Sequence, residues 1–186
     1  CLDATALERG GGVREPAFFD NVLIVGVGLM GGSLGLTLRE KGLAREVVGY
    51  DRNPENLETA LTRNLIHTAT TNLLTAVATA DLIVFATPVS TIPPTMDAIA
   101  TAIPLHTLLT DLGSTKQEIT THGERLFGER FVGGHPMAGA EESGAGAARA
   151  NLFDNATWIL TSSYPESEAT QKVATWVSHI GANPVT

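Results

Sequence analysis

Residues 21–34 constrain the fold of this chain more than any other segment. An apolar stretch leads into a glycine-rich turn and then into an amphipathic helix, with glycines at Gly26, Gly28 and Gly31. The first glycine lets the chain turn off the strand, the second leaves room for a ligand beside the backbone, and the third lets the helix pack closely on the sheet. Because the free N–H groups and the dipole at a helix start favour an anion, the segment predicts a phosphate-binding βαβ unit.

The next predicted strand, residues 46–51, ends in an acidic side chain, Asp51, which lies 20 residues after Gly31. A carboxylate there accepts hydrogen bonds from the ribose hydroxyls of an adenosine and repels a 2′-phosphate, whereas the guanidinium of Arg52 attracts one. We therefore expect a dinucleotide site that favours NAD, with NADP as the alternative. A glycine turn that only packs against its neighbours is the structural alternative. The cofactor is expected to contact Gly26, Gly28, Leu29, Met30, Gly31, Asp51 and Arg52.

Composition argues against several classes of function. With 43% hydrophobic residues among 186, the chain predicts a globular domain, and it lacks the apolar run of about 20 residues that spans a membrane. Its 12 basic and 20 acidic residues give a net charge of −8, which argues against binding to a nucleic-acid backbone. The single cysteine, Cys1, excludes an internal disulfide framework, and no cysteine and histidine spacing predicts a metal site. We expect a cytoplasmic location.

Helix and strand patterns alternate along the chain. The alternation is typical of a doubly wound, mostly parallel α/β sheet of the Rossmann type, here over residues 21–186, and residues 1–20 are expected to form a flexible extension. Ligands of such sheets bind at the carboxyl ends of the strands, so the loops there are candidate sites. Helices are predicted over residues 54–64, 72–80, 91–102, 114–127 and 166–179, and further strands over 66–69, 81–86, 107–111, 130–133 and 157–161.

Three of these loops carry chemically informative residues. Thr87, Pro88 and Val89 follow one predicted strand and form either a plain turn or a surface for the ribose or nicotinamide of the cofactor. Ser114 follows the next strand and caps a helix, presents its hydroxyl to a ligand, or does both. His135 follows a third strand, between glycines and a proline that leave little bulk to cover its ring. Since an imidazole titrates near neutral pH, it can take a proton from a hydroxyl while hydride leaves the same carbon.

These motifs together resemble the prephenate/arogenate dehydrogenases of tyrosine biosynthesis. The glycine motif is shared with many dehydrogenases, whereas the histidine motif and the Gly-Ser-x-Lys loop together are specific to this family. The resemblance extends over residues 21–186, nearly all of the chain. The matching segments are residues 26–34, 87–89, 110–116, 133–139, 141–144 and 151–153.

The resemblance implies an NAD(P)-dependent oxidative decarboxylation of prephenate to 4-hydroxyphenylpyruvate. In this reaction the catalytic residues His135 and Ser114 bind the ring hydroxyl, His135 draws off its proton, and Glu141 contributes to substrate binding. Ala140 stands where many members carry a hydroxyl residue, so one polar contact near the substrate is expected to be missing. The family also implies a helical dimerisation domain after residue 186 and hence a homodimer, so residues 1–186 alone are expected to turn over little or no substrate.

Two other functions fit parts of the pattern. A 3-hydroxyacid or 6-phosphogluconate-type dehydrogenase also opens with Gly-Leu-Met-Gly, but it leaves the motif at His135 unexplained. A non-enzymatic domain that senses NAD or NADH leaves both Ser114 and His135 without a role. A panel of substrates separates the first alternative from the leading hypothesis, and substrate-dependent change in cofactor absorbance separates the second.

Overall fold

The computed structural model describes residues 17–139 and 141–186, in which strands and helices alternate. The strands are β1 (Phe19–Val25), β2 (Ala44–Tyr50), β3 (Thr68–Thr70), β4 (Leu82–Phe85), β5 (Leu108–Asp111), β6 (Phe131–Pro136), β7 (Thr157–Thr161) and β8 (Asn183–Val185). The helices are α1 (Leu29–Glu40), α2 (Pro54–Thr62), α3 (Leu73–Val77), α4 (Ile92–Ile99), α5 (Gln117–Phe127) and α6 (Glu168–Ile180).

The strands of the described residues form a single sheet in the order β3-β2-β1-β4-β5-β6-β7-β8. Strands β1 to β6 are parallel to one another, β7 is antiparallel to β6, and β8 is parallel to β7. The winding direction reverses between β1 and β4, which in open α/β sheets creates a crevice at the carboxyl ends of those strands. The predicted fold class, a doubly wound and mostly parallel α/β sheet, is confirmed.

Both faces of the sheet are covered by helices, which explains why β4 and residues 22–25 of β1 are apolar throughout. Along β1, Val22 and Ile24 enter the core shared with α1, α2 and α6, whereas Leu23 and Val25 enter the core shared with α3, α4 and α5. Successive side chains of a strand point to opposite faces, so an uninterrupted apolar run is what a doubly covered strand requires. All four of these side chains are buried.

Side-chain caps fix the start of two helices next to the predicted site. The Asn53 side chain accepts a hydrogen bond from the Glu55 amide, and Pro54 occupies the first position of α2. The Asn72 side chain caps α3 in the same way. Asparagine at the cap and proline in the first turn are both typical of helix starts, so these positions agree with the sequence prediction.

Two boundaries differ from the predicted ones and affect the candidate site. Strand β6 continues to Pro136 instead of ending at residue 133, because residues 133–136 pair with the antiparallel strand β7. Helix α5 begins at Gln117 instead of residue 114, and Lys116 holds its N-cap position without a side-chain cap. Ser114 therefore does not cap this helix, and His135 lies within a strand, not in the turn after it.

The predicted extension over residues 1–20 lies only partly within the described residues, because residues 1–16 fall outside them. Strand β1 begins at Phe19, two residues earlier than predicted; this side chain is buried, and Phe19 pairs with Ala44 of β2. Among the helices of residues 17–139 and 141–186, none combines the length and the hydropathy that crossing a membrane requires.

Candidate active site at the carboxyl edge of the sheet

Two of the three glycines in the turn after β1, Gly26 and Gly31, are required by the geometry of the turn itself. Gly26 has a φ of +101°, in the left-handed region that favours glycine, and its amide donates to the Tyr50 carbonyl at 2.7 Å. A Cβ on Gly31 would lie 1.9 Å from the Gly26 carbonyl oxygen, so α1 can approach the turn only with glycine at this position. A Cβ on Gly28 would meet no atom within 4 Å. Gly28 therefore faces open space, in contrast to the other two.

One cavity, of about 480 Å³, opens between the ends of β1, β2 and β4. Gly26, Gly28, Asp51, Arg52 and the Thr87–Pro88 turn are among its lining residues. The Asp51 carboxylate, at the end of β2, accepts hydrogen bonds from three donors. Its Oδ2 atom accepts from the Val27 amide at 3.0 Å and from Asn56 Nδ2 at 3.2 Å. Its Oδ1 atom accepts from the Asn53 amide at 2.8 Å. Its orientation is therefore fixed by the glycine turn and by α2.

A second cavity, of about 290 Å³, lies on the other side of the glycine turn. It shares residues 86–88 with the first cavity, so the two adjoin across the end of β4. Leu29 and Met30 from the start of α1 and Leu112 from the end of β5 form its apolar walls. Residues 142–144 close it from the segment that follows β6.

Two predicted cofactor residues, Gly31 and Val89, line neither cavity. Gly31 is buried where α1 packs against the Gly26 carbonyl. Val89 also points away from both cavities. It is partly buried against the core beside α4 and α5, and a Cβ on Gly113 would lie 3.1 Å from its Cγ2 atom. Val89 lies in the 3-10 turn that precedes α4, which points it toward the core. The structure therefore brings Thr87 and Pro88 to the cavities but directs Val89 to the packing between helices.

His135 lines a third, open depression together with residues 136–139 and Glu141. The side chain is half-buried, and its Nδ1 atom is buried without a hydrogen-bond partner among the described residues. Nδ1 is therefore closed off from a ligand, and Nε2 is the ring nitrogen that remains to bind one. Ser114, at the end of the neighbouring strand β5, is exposed. His135, near the end of β6, and Ser114, shortly after β5, thus lie at the same edge of the sheet as the two cavities.

The other four histidines are tied to groups away from this edge. His67 and His106 precede β3 and β5, at the amino end of the sheet, where His67 accepts from the Val47 amide and His106 pairs with Asp81. His122 in α5 binds Asp97, and His179 in α6 binds the Thr175 carbonyl. His135 is therefore the histidine that the fold brings to the carboxyl edge.

A buried ion pair lies directly beneath His135 and Ser114. Asp111 is fully buried and pairs with Lys116, whose side chain is 14% exposed. Burial raises the pKa of the Asp111 carboxyl and lowers the pKa of the Lys116 ammonium, and the contact between the two charges opposes both shifts. Both residues lie in the segment 110–116 that carries the family resemblance, but the sequence assigns a role to neither. The sequence does contain a signal for the pair, a carboxylate at the end of an apolar strand. A buried charge requires a partner, so such a carboxylate predicts a cation close by.

The segment that closes the second cavity is anchored to α1 and α2. Arg63, at the end of α2, donates to the carbonyls of Ala145, Gly146 and Ala148 at 2.7, 2.8 and 3.1 Å. On α1, Ser33 Oγ accepts from the Arg149 amide at 3.0 Å. Residues 142–149 therefore form a fixed wall beside the start of α1, although this segment contains no helix or strand beyond a 3-10 turn.

Comparison with known proteins identifies the relatives of this chain. It is 36% identical to the prephenate dehydrogenase of Bacillus subtilis over 145 residues, which covers 76% of this chain and 39% of that protein. The crystal structure of A. aeolicus prephenate dehydrogenase in complex with hydroxyphenyl propionate and NAD+ superposes with a TM-score of 0.83 at 34% identity, covering 89% of this chain and 59% of that one. Synechocystis arogenate dehydrogenase gives a TM-score of 0.82 at 31% identity, over 89% and 58% of the two chains.

These matches favour the family that the motifs resemble over a 3-hydroxyacid or 6-phosphogluconate-type dehydrogenase. The chain spans 39% to 56% of the length of the curated relatives that it matches. The family model for the nucleotide-binding domain of prephenate dehydrogenase matches residues 34–186, which include β2 to β8 and both Ser114 and His135. With most of its length matched by that model, the chain belongs to the prephenate dehydrogenase family and corresponds to its nucleotide-binding domain.

Proposed function

We propose that this chain is the cofactor-binding part of an NAD-dependent prephenate or arogenate dehydrogenase, with His135 and Ser114 as its catalytic residues. The observation that carries the proposal is the convergence at one sheet edge of the glycine turn, Asp51, Ser114 and His135. Glu141 lines the same depression as His135, which supports its assignment to substrate binding. The relatives of known structure include one that binds NAD+ and one named as an arogenate dehydrogenase.

The two adjoining cavities fit a dinucleotide. Asp51 belongs to the first and suits the adenosine ribose, whereas the apolar walls of the second suit a nicotinamide ring. Between them, Gly28 leaves open the space that a side chain would fill, and α1 begins there without a side-chain cap. The first amides of a helix lack intrahelical acceptors, so they are available to a pyrophosphate.

NAD, when bound, accepts the hydride that the substrate loses. The residues of this chain act on the substrate hydroxyl: the imidazole of His135 in its neutral form takes the hydroxyl proton as the C–H bond breaks, and the Ser114 hydroxyl holds the same oxygen. Loss of CO₂ then makes the ring aromatic: the electron pair of the breaking C–C bond enters the ring, and the resulting phenolate oxygen takes back the proton held by His135. Because the aromatic product is so favourable, the main task of the protein is to orient the reacting groups.

Three properties of the whole protein follow from the same proposal. The substrate is a small molecule, since the acidic charge of −8 does not suit a nucleic acid. The protein is cytoplasmic, and it forms a homodimer through a helical domain beyond residue 186 that also completes the substrate site. The depression beside His135 is open, which is consistent with a site that further chain covers.

The direct test is NADH formation by the natural full-length protein with prephenate and, separately, with arogenate. We expect absorbance of the reduced cofactor to rise with one or both substrates, and not with 3-hydroxyacids or 6-phosphogluconate. Binding of NAD without any substrate-dependent absorbance change would instead support a sensing domain. Residues 1–186 alone are expected to bind NAD with little or no turnover.

Asp51 is predicted to set the preference for NAD over NADP. The change Asp51→Asn keeps one acceptor oxygen but removes the charge that binds the ribose and repels a 2′-phosphate, so KM for NAD should rise about tenfold, in line with the loss of one charged hydrogen bond. The ratio of kcat/KM for NADP to that for NAD should rise with it. Asp20→Asn, at an exposed ion pair with Arg45, is the matched control. An unchanged ratio in Asp51→Asn would contradict this assignment.

A further inference from the structure

The backbone N–H and C=O of Gly134, the residue before His135, are held by side chains instead of by strand pairing. The amide of Gly134 donates to Asp111 Oδ1 at 3.1 Å, and its carbonyl accepts from Lys116 Nζ at 2.7 Å. Both backbone groups of the residue before His135 are therefore bound by the two partners of a single buried ion pair. The pair thus controls the position of the backbone from which the imidazole extends.

The geometry of the sheet leaves these backbone groups with no strand to bind. The amide of Met137 donates to the Thr157 carbonyl, and because hydrogen-bonded positions alternate along an antiparallel ladder, the N–H and C=O of Gly134 turn away from β7. On the other side, the parallel pairing of β5 with β6 ends at Thr110 and Val132. Asp111 and Lys116 supply the hydrogen bonds that the ladder does not.

The same pair also fixes the turn that carries Ser114. Asp111 Oδ2 accepts from the Gly113 amide at 2.8 Å as well as from the ammonium of Lys116. Ser114 therefore lies between two residues that are both bonded to one carboxylate. A Cβ on Gly134 would lie 2.5 Å from the Asp111 carbonyl, so β6 approaches the end of β5 closely enough for these contacts only with glycine there.

We propose that Asp111 and Lys116 are positioning residues that hold Ser114 and His135 in one rigid frame. The inference rests on the proposed function, because it concerns the placement of the groups that would bind the substrate hydroxyl. Stability alone is a weak reason for such a pair, since a buried ion pair is often replaced by apolar residues without loss of stability. A displacement of about 1 Å in a reacting group can lower a rate about 100-fold, so a rigid frame has a large kinetic effect.

The test compares Lys116→Met with Lys41→Met in the full-length protein. Lys41 is a matched control, because it also pairs with an aspartate, Asp154, and also donates to a backbone carbonyl, that of Ile180, away from the carboxyl edge. We expect Lys116→Met to lower kcat about 100-fold while the Kd for NAD stays within about twofold, and Lys41→Met to keep both within about twofold. A folded Lys116→Met variant with kcat within about threefold of the wild type would overturn the proposal. A loss of kcat that appears only together with loss of NAD binding would also overturn it.

A second variant covers the case in which Lys116→Met does not fold. The double change Asp111→Asn with Lys116→Met leaves no unpaired buried charge, and its kcat should remain about 100-fold low if the frame is what matters. Recovery of wild-type kcat in the folded double variant would contradict a positioning role.

Hydrogen exchange gives a readout that needs no substrate. In either variant, exchange of the Gly134 amide should be at least about tenfold faster, while exchange of the Leu109 amide in the middle of β5 stays within about twofold. If the wild-type protein forms no NADH from prephenate or arogenate, the proposed function fails, and this measurement still decides whether the pair fixes the backbone. Unchanged exchange at Gly134 would show that it does not.

Discussion

His135→Asn is expected to lower kcat of the full-length protein with prephenate about 10²- to 10⁴-fold, the range that removal of a general base produces. Asparagine retains a polar side chain, but its amide reaches only as far as Nδ1 of the imidazole, and it cannot take up a proton at neutral pH. The Kd for NAD should change little, because His135 lines the depression beside the cavities and not the cavities themselves. Steady-state NADH formation together with calorimetric NAD binding separates the two effects.

The same substitution at His106 is the matched control. His106 precedes β5 at the opposite edge of the sheet, where it pairs with Asp81 at 3.5 Å. His106→Asn should leave kcat and the Kd for NAD within about twofold of the wild type. Equal rates for His135→Asn and the wild type would remove His135 from the proposed chemistry, whereas an equal loss in both variants would point to general destabilisation.

Gly31→Ala is expected to have the largest effect on folding. The new methyl group would lie 1.9 Å from the Gly26 carbonyl oxygen and 2.9 Å from a methyl carbon of Ile24, and neither the backbone turn nor the buried strand can move aside cheaply. Overpacking of this severity should lower the free energy of unfolding by about 3 kcal/mol or more. Chemical denaturation measures this change, and NAD binding should be lost with it because the turn and α1 separate.

Gly28→Ala provides the contrast within the same turn. Gly28 has a φ of −72° and open space where a Cβ would lie, so the free energy of unfolding should stay within about 1 kcal/mol of the wild type. NAD binding should nevertheless weaken, because the methyl group occupies the space proposed for the pyrophosphate. Wild-type NAD affinity in Gly28→Ala would contradict that placement, and wild-type stability in Gly31→Ala would contradict the packing argument.

The sheet and the glycine turn were predictable because their determinants are local. A continuous apolar run such as residues 22–25 indicates a strand covered on both faces. The positive φ of Gly26 and the contact of Gly31 with the Gly26 carbonyl both arise within a few residues of the chain. Caps such as Asn53 before Pro54 depend only on the first turn of their helix. Local patterns of this kind carry enough information to place elements within a few residues.

The exact setting of His135 was not predictable from local sequence. Its strand extends to Pro136 only because β7, more than 20 residues later, pairs with it. The sequence also predicts too early a start for α5, because a serine after a strand is a common helix cap. In the structure Ser114 lies in a turn organised by Asp111. The catalytic roles of both residues remain predictions.

Long-range contacts account for what the sequence analysis missed altogether. The role of the ion pair between Asp111 and Lys116 can be recognised only once β5 and β6 lie side by side. The two side chains then bind the amide and the carbonyl of Gly134, which have no partner in a strand. Likewise, Arg63 binds three carbonyls of a segment 82 to 85 residues later, which no periodicity or spacing in the sequence indicates. Both cases involve a side chain that satisfies backbone groups of a distant segment.

A crystal structure of the protein with bound NAD would test most directly whether the cofactor lies across the glycine turn and points its nicotinamide toward His135. We predict the pyrophosphate within hydrogen-bond distance of the amides that follow Gly28, the adenosine ribose on Asp51, and the nicotinamide against Leu112 on the side of His135. A cofactor bound in the reverse direction, with its nicotinamide beside Asp51, or bound away from the glycine turn, would contradict this assignment.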